Sequence, residues 1–323
     1  MTGGVGARVD YPQIFEVPSG APVAWGTAHR TEIMASLEST GVVLLRGGAC
    51  DAPEVFRAWV EAVLGTNALD YTERSSPRKT VGDRVFTSTE YKADRQIFLH
   101  NEQSYNLVFP RFIAFGCVQP AERGGETPFA DTRAIYRRLD PAIRDELARR
   151  KYCYRRNFDG RFGLSWQTTF QAADPDVIER YCADNQIELE WPKGRGRWLR
   201  TWQVREMVAR HPSTGERCWF NHFTFFHLQS QEPVLQKALL AAYPDGQVPH
   251  STFWGDGAEV DAEVVRHLQE AYKAETRMFP WQAGDIMVLD NMLACHGRNP
   301  FEGQRQLLTV MAGSTRWADC LPK

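Results

Sequence analysis

Apolar and polar positions along this chain follow two periods. Apolar residues recur with helical spacing in AHRTEIMASLEST (28–40) and APEVFRAWVEAVLG (52–65), so each segment is expected to be a helix that buries one face. Asp51, Ala52 and Pro53 form a helix start for the second, with Asp51 as cap. Between them TGVVLLRG (40–47) reads as a buried strand, and RFIAFGCVQ (111–119) as another. Tyr136 to Arg149 has a helical pattern, followed by a strand in KYCYRRNF (151–158). Further helices are expected near 174–186, 233–243 and 260–274, and further strands at 216–221, 284–289 and 305–313. The pattern predicts an α+β fold, a β-core wrapped by helices rather than a doubly wound sheet. The polar stretch RSSPRKTVGDRVFTSTEYKADRQ (74–96) is expected to be a long loop, either an ordinary surface loop or a lid over a site.

Composition narrows the class. A chain of 323 residues, 43% hydrophobic and 24% charged, is ordinary for a globular protein, and no repeat or linker divides it, so residues 1–323 are read as one domain. The net charge of −2 is spread without a basic stripe, so neither nucleic acid nor a membrane surface is an expected partner. The N-terminus lacks a signal-peptide core, and no apolar run nears the roughly 18 residues of a membrane span, which makes the cytoplasm the expected location. Seven dispersed cysteines without a CxxC fit reduced thiols rather than disulfides or structural zinc. Nucleotide-binding glycine motifs are absent.

Candidate chemistry begins at FLHNEQSYN (98–106). If Ile97 to Glu102 is extended, its period of two puts His100 and Glu102 on one face, where imidazole and carboxylate can share a metal, with Asn101 on the opposite face and tolerant of change. Alone, HxE is a common pattern that an ordinary strand end entering water also carries. A distant segment, GDIMVLDNMLACHGRNPFEGQRQLLTVMAG (284–313), adds His296, Arg298 and Arg305. Two histidines and one carboxylate on one side of an iron leave positions open for other ligands, the arrangement of non-haem Fe(II) oxygenases. Arg305, after a turn and at the start of a strand, can grip a dicarboxylic acid.

These residues resemble the TauD/TfdA family of Fe(II)/2-oxoglutarate-dependent oxygenases, in its clavaminate-synthase-like branch of natural-product enzymes. The likeness runs over most of the chain, in STEYKADRQIFLHNEQSY (88–105), GGETPFADTRAIYRRLDP (124–141), HPSTGERCWFN (211–221) and GDIMVLDNMLACHGRNPFEGQR (284–305). It implies a double-stranded β-helix (jelly-roll) core with helical insertions. It also implies iron on His100, Glu102 and His296, with Arg305 and Thr127 on the cosubstrate 2-oxoglutarate and O2 as the second cosubstrate. Many relatives carry a second arginine four residues after the first, where this chain has Thr309. Related halogenases lack the ligand carboxylate, so Glu102 implies a halide-free oxidation, foremost hydroxylation of a small polar substrate such as an amino acid or derivative, free or bound to a carrier protein. Desaturation, epoxidation or cyclisation would use the same chemistry; a catalytically silent metal-binding jelly roll is the reading from another class.

Candidate substrate contacts are Gln103, Ser104, Tyr105, Asn221, His222, Arg78 and Arg298. The residues after WFN tend to be Gln-Ala in close relatives and are His222-Phe223 here. His222 and His227 stand in an aromatic, strand-like segment whose spacing does not suit a metal pair.

Overall fold

The computed structural model describes residues 12–18, 22–48, 50 and 52–321. In chain order its strands are β1 (Gln13–Glu16), β2 (Val42–Arg46), β3 (Thr80–Gly82), β4 (Val85–Thr87), β5 (Ile97–His100), β6 (Val108–Gln119), β7 (Arg123–Gly124), β8 (Phe129–Asp131), β9 (Tyr152–Phe158), β10 (Glu188–Glu190), β11 (Leu199–Arg205), β12 (Val208–Arg210), β13 (Arg217–Trp219), β14 (His250–Trp254), β15 (Ile286–Asp290), β16 (Ala294–Arg298), β17 (Phe301–Glu302) and β18 (Gln306–Arg316). The helices are α1 (Pro22–Thr40), α2 (Pro53–Leu64), α3 (Thr132–Arg138), α4 (Pro141–Arg150), α5 (Trp166–Phe170), α6 (Pro175–Asp184), α7 (Phe223–Phe226), α8 (Pro233–Ala242) and α9 (Ala262–Glu275).

A seven-stranded sheet in the order β1-β2-β15-β6-β18-β4-β3 carries the molecule, and a three-stranded sheet β5-β16-β8 carries the site. The β1–β2 pair is parallel; β15, β6, β18 and β4 pair antiparallel. Both faces of the large sheet are buried, as its near-continuous apolar strands require. Val43, Leu45, Ala114, Ile286, Val288, Leu308 and Val310 meet Ile33 and Leu37 of α1 and Phe56, Trp59 and Val63 of α2. The alternate residues Leu44, Ile113, Phe115, Met287, Leu289, Leu307 and Met311 face the other way, against Phe129 and Ala294 of the small sheet. A β-core with helices packed on it is therefore observed.

Several local expectations change. The single helix over 136–149 is two, because Pro141 cannot donate the bond that would continue α3. Asp140 caps α4 by accepting from the backbone of Ala142 and Ile143. The strand over 216–221 is shorter, Arg217–Trp219, and the aromatic segment after it is the helical turn α7 rather than strand-like. The 74–96 stretch is not a plain loop, since its apolar positions form the β3–β4 hairpin on the edge of β18. Asp51 lies outside the described residues, and Ala52 stands at the α2 N-cap with no side-chain bond. All seven cysteines are buried thiols. Among the described residues no helix is long and apolar enough to cross a membrane.

Candidate metal centre

Antiparallel pairing of β16 with β5 sets His296 directly opposite His100. Gly297 permits this approach, because a Cβ there would lie 2.5 Å from the carbonyl oxygen of Ile97. The imidazole centroids are 4.6 Å apart. The expected extension of the strand through Glu102 does not occur. β5 stops at His100, and Glu102 sits in the following turn, where Gln103 takes a φ of 53°. Glu102 still reaches the histidines, because Asn291 clamps its backbone. Asn291 Oδ1 accepts from the Glu102 amide at 2.7 Å, and Asn291 Nδ2 donates to the Glu102 carbonyl at 2.9 Å. Ligand atoms of His100, Glu102 and His296 lie within 4.8 Å of one another, the one such cluster among the described residues.

Protonation favours ligation. His100 Nδ1 lies 2.9 Å from the Phe98 carbonyl, which can only accept, so Nδ1 carries the proton and Nε2 keeps its lone pair. Burial lowers the pKa of His100 and pulls that of His296 well below the usual imidazole range, with His100 and Arg78 adding repulsion. Both rings are neutral near pH 7. His296 Nδ1 is buried and makes no hydrogen bond.

Asn101 does not face water. It is fully buried, and its Nδ2 donates to the carbonyls of Asn291 at 2.7 Å and Ala294 at 3.3 Å. The expected tolerance at that position rested on a strand that has already ended.

A cavity opens beside the histidines, lined among others by Arg78, Phe115, Thr127, Arg298 and Arg305. Arg305 Nε donates to the Gly125 carbonyl at 2.8 Å; its other nitrogens lie 3.4 Å from the hydroxyls of Ser88 and Thr127. No carboxylate among the described residues forms an ion pair with it. Burial, with Arg298 repelling it, pulls its pKa down to about 10, the sign of a cation lacking its anion. The Thr127 hydroxyl accepts from Trp281 Nε1 at 3.2 Å, which leaves its own proton to donate. Thr309 is buried on β18 with an unpartnered hydroxyl.

Of the other candidates, Arg78 and Arg298 line the cavity, and the rest do not. Gln103 donates to the Thr72 carbonyl and Tyr105 to that of Glu73 at 2.9 Å. Asn221 bridges the Met207 carbonyl and the Phe223 amide. Ser104 bonds His222 Nδ1 at 2.7 Å, and the His222 ring lies 5.4 Å from that of His100. His227 Nδ1 accepts from the Gln229 amide. The guanidinium of Arg298 donates to the carbonyls of Tyr91, Lys92 and Arg95. Arg78 Nη2 donates to Glu102 at 2.5 Å. Asn291 and Trp281 escaped the sequence reading. Asn291 stood in the quoted DNMLACH run but carried no ligand pattern, and Trp281 carried no signal at all.

Residues 2–311 match the family described as "Taurine catabolism dioxygenase TauD, TfdA family". The chain belongs to that family. TauD/TfdA membership makes the protein an enzyme, a dioxygenase. It is 39% identical over 275 residues to the "Dapdiamide synthesis protein DdaC" of Enterobacter agglomerans, spanning 85% of this chain and 83% of that protein. It is 27% identical to the "Clavaminate synthase-like protein At3g21360" of Arabidopsis thaliana, over 85% of this chain and 82% of the other. These likenesses bear out the resemblance to the clavaminate-synthase-like branch. Among solved structures it shares its fold with PvcB, an "Fe, alpha-ketoglutarate dependent oxygenase from an isonitrile synthetic pathway". That likeness has a TM-score of 0.53 at 16% identity, over 94% of this chain and 87% of the other. AAD-2, solved with Mn(II) and N-oxalylglycine, aligns with a TM-score of 0.56 at 13% identity, over 96% of this chain and 97% of the other.

Proposed function

We propose that this dioxygenase depends on Fe(II) and 2-oxoglutarate and hydroxylates an unactivated C–H bond of a small polar substrate, an amino acid or derivative, in a biosynthetic pathway. The observation that carries the reading is a pairing at one cavity, which His100, His296 and Arg305 line and which Glu102 adjoins through its bond to Arg78. Two neutral imidazoles and a carboxylate sit within 4.8 Å, beside a buried guanidinium that has no anion. His100, Glu102 and His296 would hold the iron, a donor set suited to a divalent first-row metal with open positions. Arg305 would bind the far carboxylate of 2-oxoglutarate, and the Thr127 hydroxyl would donate to it. The bound iron and cosubstrate supply the oxidising power, by coupling decarboxylation to oxidation of the substrate. The chain itself orients the ligands through Asn291 and the β5–β16 register, and buried walls such as Phe115 limit water. The two facing sheets are read as a jelly-roll core with helical insertions, in one catalytic domain. The named pathways of DdaC and PvcB support a biosynthetic setting.

Under argon, Fe(II) and 2-oxoglutarate together should produce a weak visible charge-transfer band. Arg305→Ala should raise the 2-oxoglutarate concentration that half-saturates this band about tenfold or more, from the loss of one charge-assisted pair. Unchanged saturation in Arg305→Ala would remove the cosubstrate assignment, and absence of the band in the native protein would remove the function.

A further inference from the structure

Three guanidiniums, Arg78, Arg298 and Arg305, line the site cavity, and no carboxylate does so among the described residues. Their situations differ. Arg298 spends its terminal nitrogens on three backbone carbonyls. Arg305 has its anion once 2-oxoglutarate binds. Arg78 is left over. Its side chain is 2% exposed and stacks on the Tyr71 ring at 5.2 Å. Nη2 holds Glu102, but Nε and Nη1 are buried without any hydrogen-bond partner.

Charge balance gives that vacancy a sign. Glu102 and a 2-oxoglutarate dianion together fall two charges short of a divalent metal plus the three guanidiniums. Uncompensated buried charge is costly, so a further anion is expected beside Arg78, where donors remain. None of the lining residues belongs to a helix, so no helix N-terminus is there to cradle a phosphate. A single guanidinium with spare donors suits a carboxylate.

We propose that Arg78 anchors a carboxylate of the oxidised substrate, so that the enzyme acts on a carboxylic acid held beside the metal. This rests on the reading of the site as an iron and 2-oxoglutarate centre. Because Arg78 also touches Glu102, the anchored end lies next to a metal ligand and the rest of the substrate extends over the metal.

The test uses the full chain with Mn(II) and saturating 2-oxoglutarate under argon, and 13C-formate as the anion probe. Saturable relaxation of the formate carbon by Mn(II) is expected in the native protein, with none from neutral formamide. Arg78→Gln should weaken formate binding at least tenfold, while Arg78→Lys, which keeps the charge, should retain most of it. Formate binding that is absent from the native protein, or equal in native and Arg78→Gln, overturns the proposal. So does an Arg78→Gln protein whose loss falls on 2-oxoglutarate affinity, which would give the guanidinium to the cosubstrate. A loss confined to Mn(II) affinity would make Arg78 a positioning residue for Glu102 and overturn it as well. Native protein that binds Mn(II) but no 2-oxoglutarate would instead sink the function on which the proposal stands.

Discussion

At the residue scale, the site depends on side chains that touch no ligand. Asn101 satisfies two buried carbonyls, and Asn291 holds both backbone groups of Glu102. Asn101→Ala would orphan the carbonyls of Asn291 and Ala294, at a cost of about 1–3 kcal/mol per unsatisfied group. Urea unfolding should therefore shift to lower denaturant, and Mn(II) affinity should fall with it. Glu102→Ala should weaken metal binding severely, because a histidine pair alone holds a divalent metal weakly. If Asn101→Ala matches the native protein in both measurements, the turn after β5 does not depend on those two bonds.

At the element scale, the register between β5 and β16 creates the pair of imidazoles. Gly297→Ala would press a methyl to within 2.5 Å of the Ile97 carbonyl oxygen and force the strands apart. Mn(II) affinity should drop about tenfold or more, a change of roughly 1.4 kcal/mol, while the far-ultraviolet dichroism stays native. The end of β16 and the start of β17 restrain the loop before β5. Arg298 binds the carbonyls of Tyr91, Lys92 and Arg95, and the Phe301 amide binds that of Ala93 at 2.9 Å. Arg298→Ala should free this loop, and trypsin should then cut faster after Lys92 or Arg95. A cleavage rate equal to that of the native protein would deny the tether.

At the scale of the whole molecule, several histidines are buried in neutral form. Burial lowers His227 to about 4 and, with Arg156 nearby, His250 to about 3. Unfolding returns them to about 6.5, so the unfolded chain binds more protons between those values. Stability should be full above about pH 6.5 and fall as the pH drops through that window. One such histidine contributes a loss of about 2 kcal/mol between pH 6.5 and 5. His250 bonds the Tyr154 hydroxyl at 2.7 Å and stacks on Phe226. His250→Gln should flatten the decline by about that amount, read from urea midpoints at pH 7 and 5. An identical pH slope in the variant would mean that His250 titrates in the folded protein.

The sequence by itself determined the strongly periodic elements and the identity of the chemistry. The cores of α1, α2, β2, β6, β9, β15 and β18 were legible because each helix repeats its apolar positions and each strand stands out as a largely apolar run. His100, Glu102, His296, Thr127 and Arg305 were singled out because their residue types and spacings resemble a family, and folding brings the first three within 4.8 Å of one another. Tertiary structure decided the rest. HxE suggested two ligands on one strand, yet the strand ends between them, and a side chain 189 positions away sets the carboxylate. Local pattern cannot encode that clamp, since it depends on which strands pair. The role of polar residues was equally hidden, because Gln103, Tyr105, Asn221 and Arg298 are consumed by backbone groups brought near only on folding. Arg78 is the reverse case. Its stretch read as a polar loop, and only burial against Tyr71 and Glu102 turns it into a charge that calls for an anion. Burial and partnership are properties of the packed chain, so the residue's type was in the sequence and its electrostatic meaning was not.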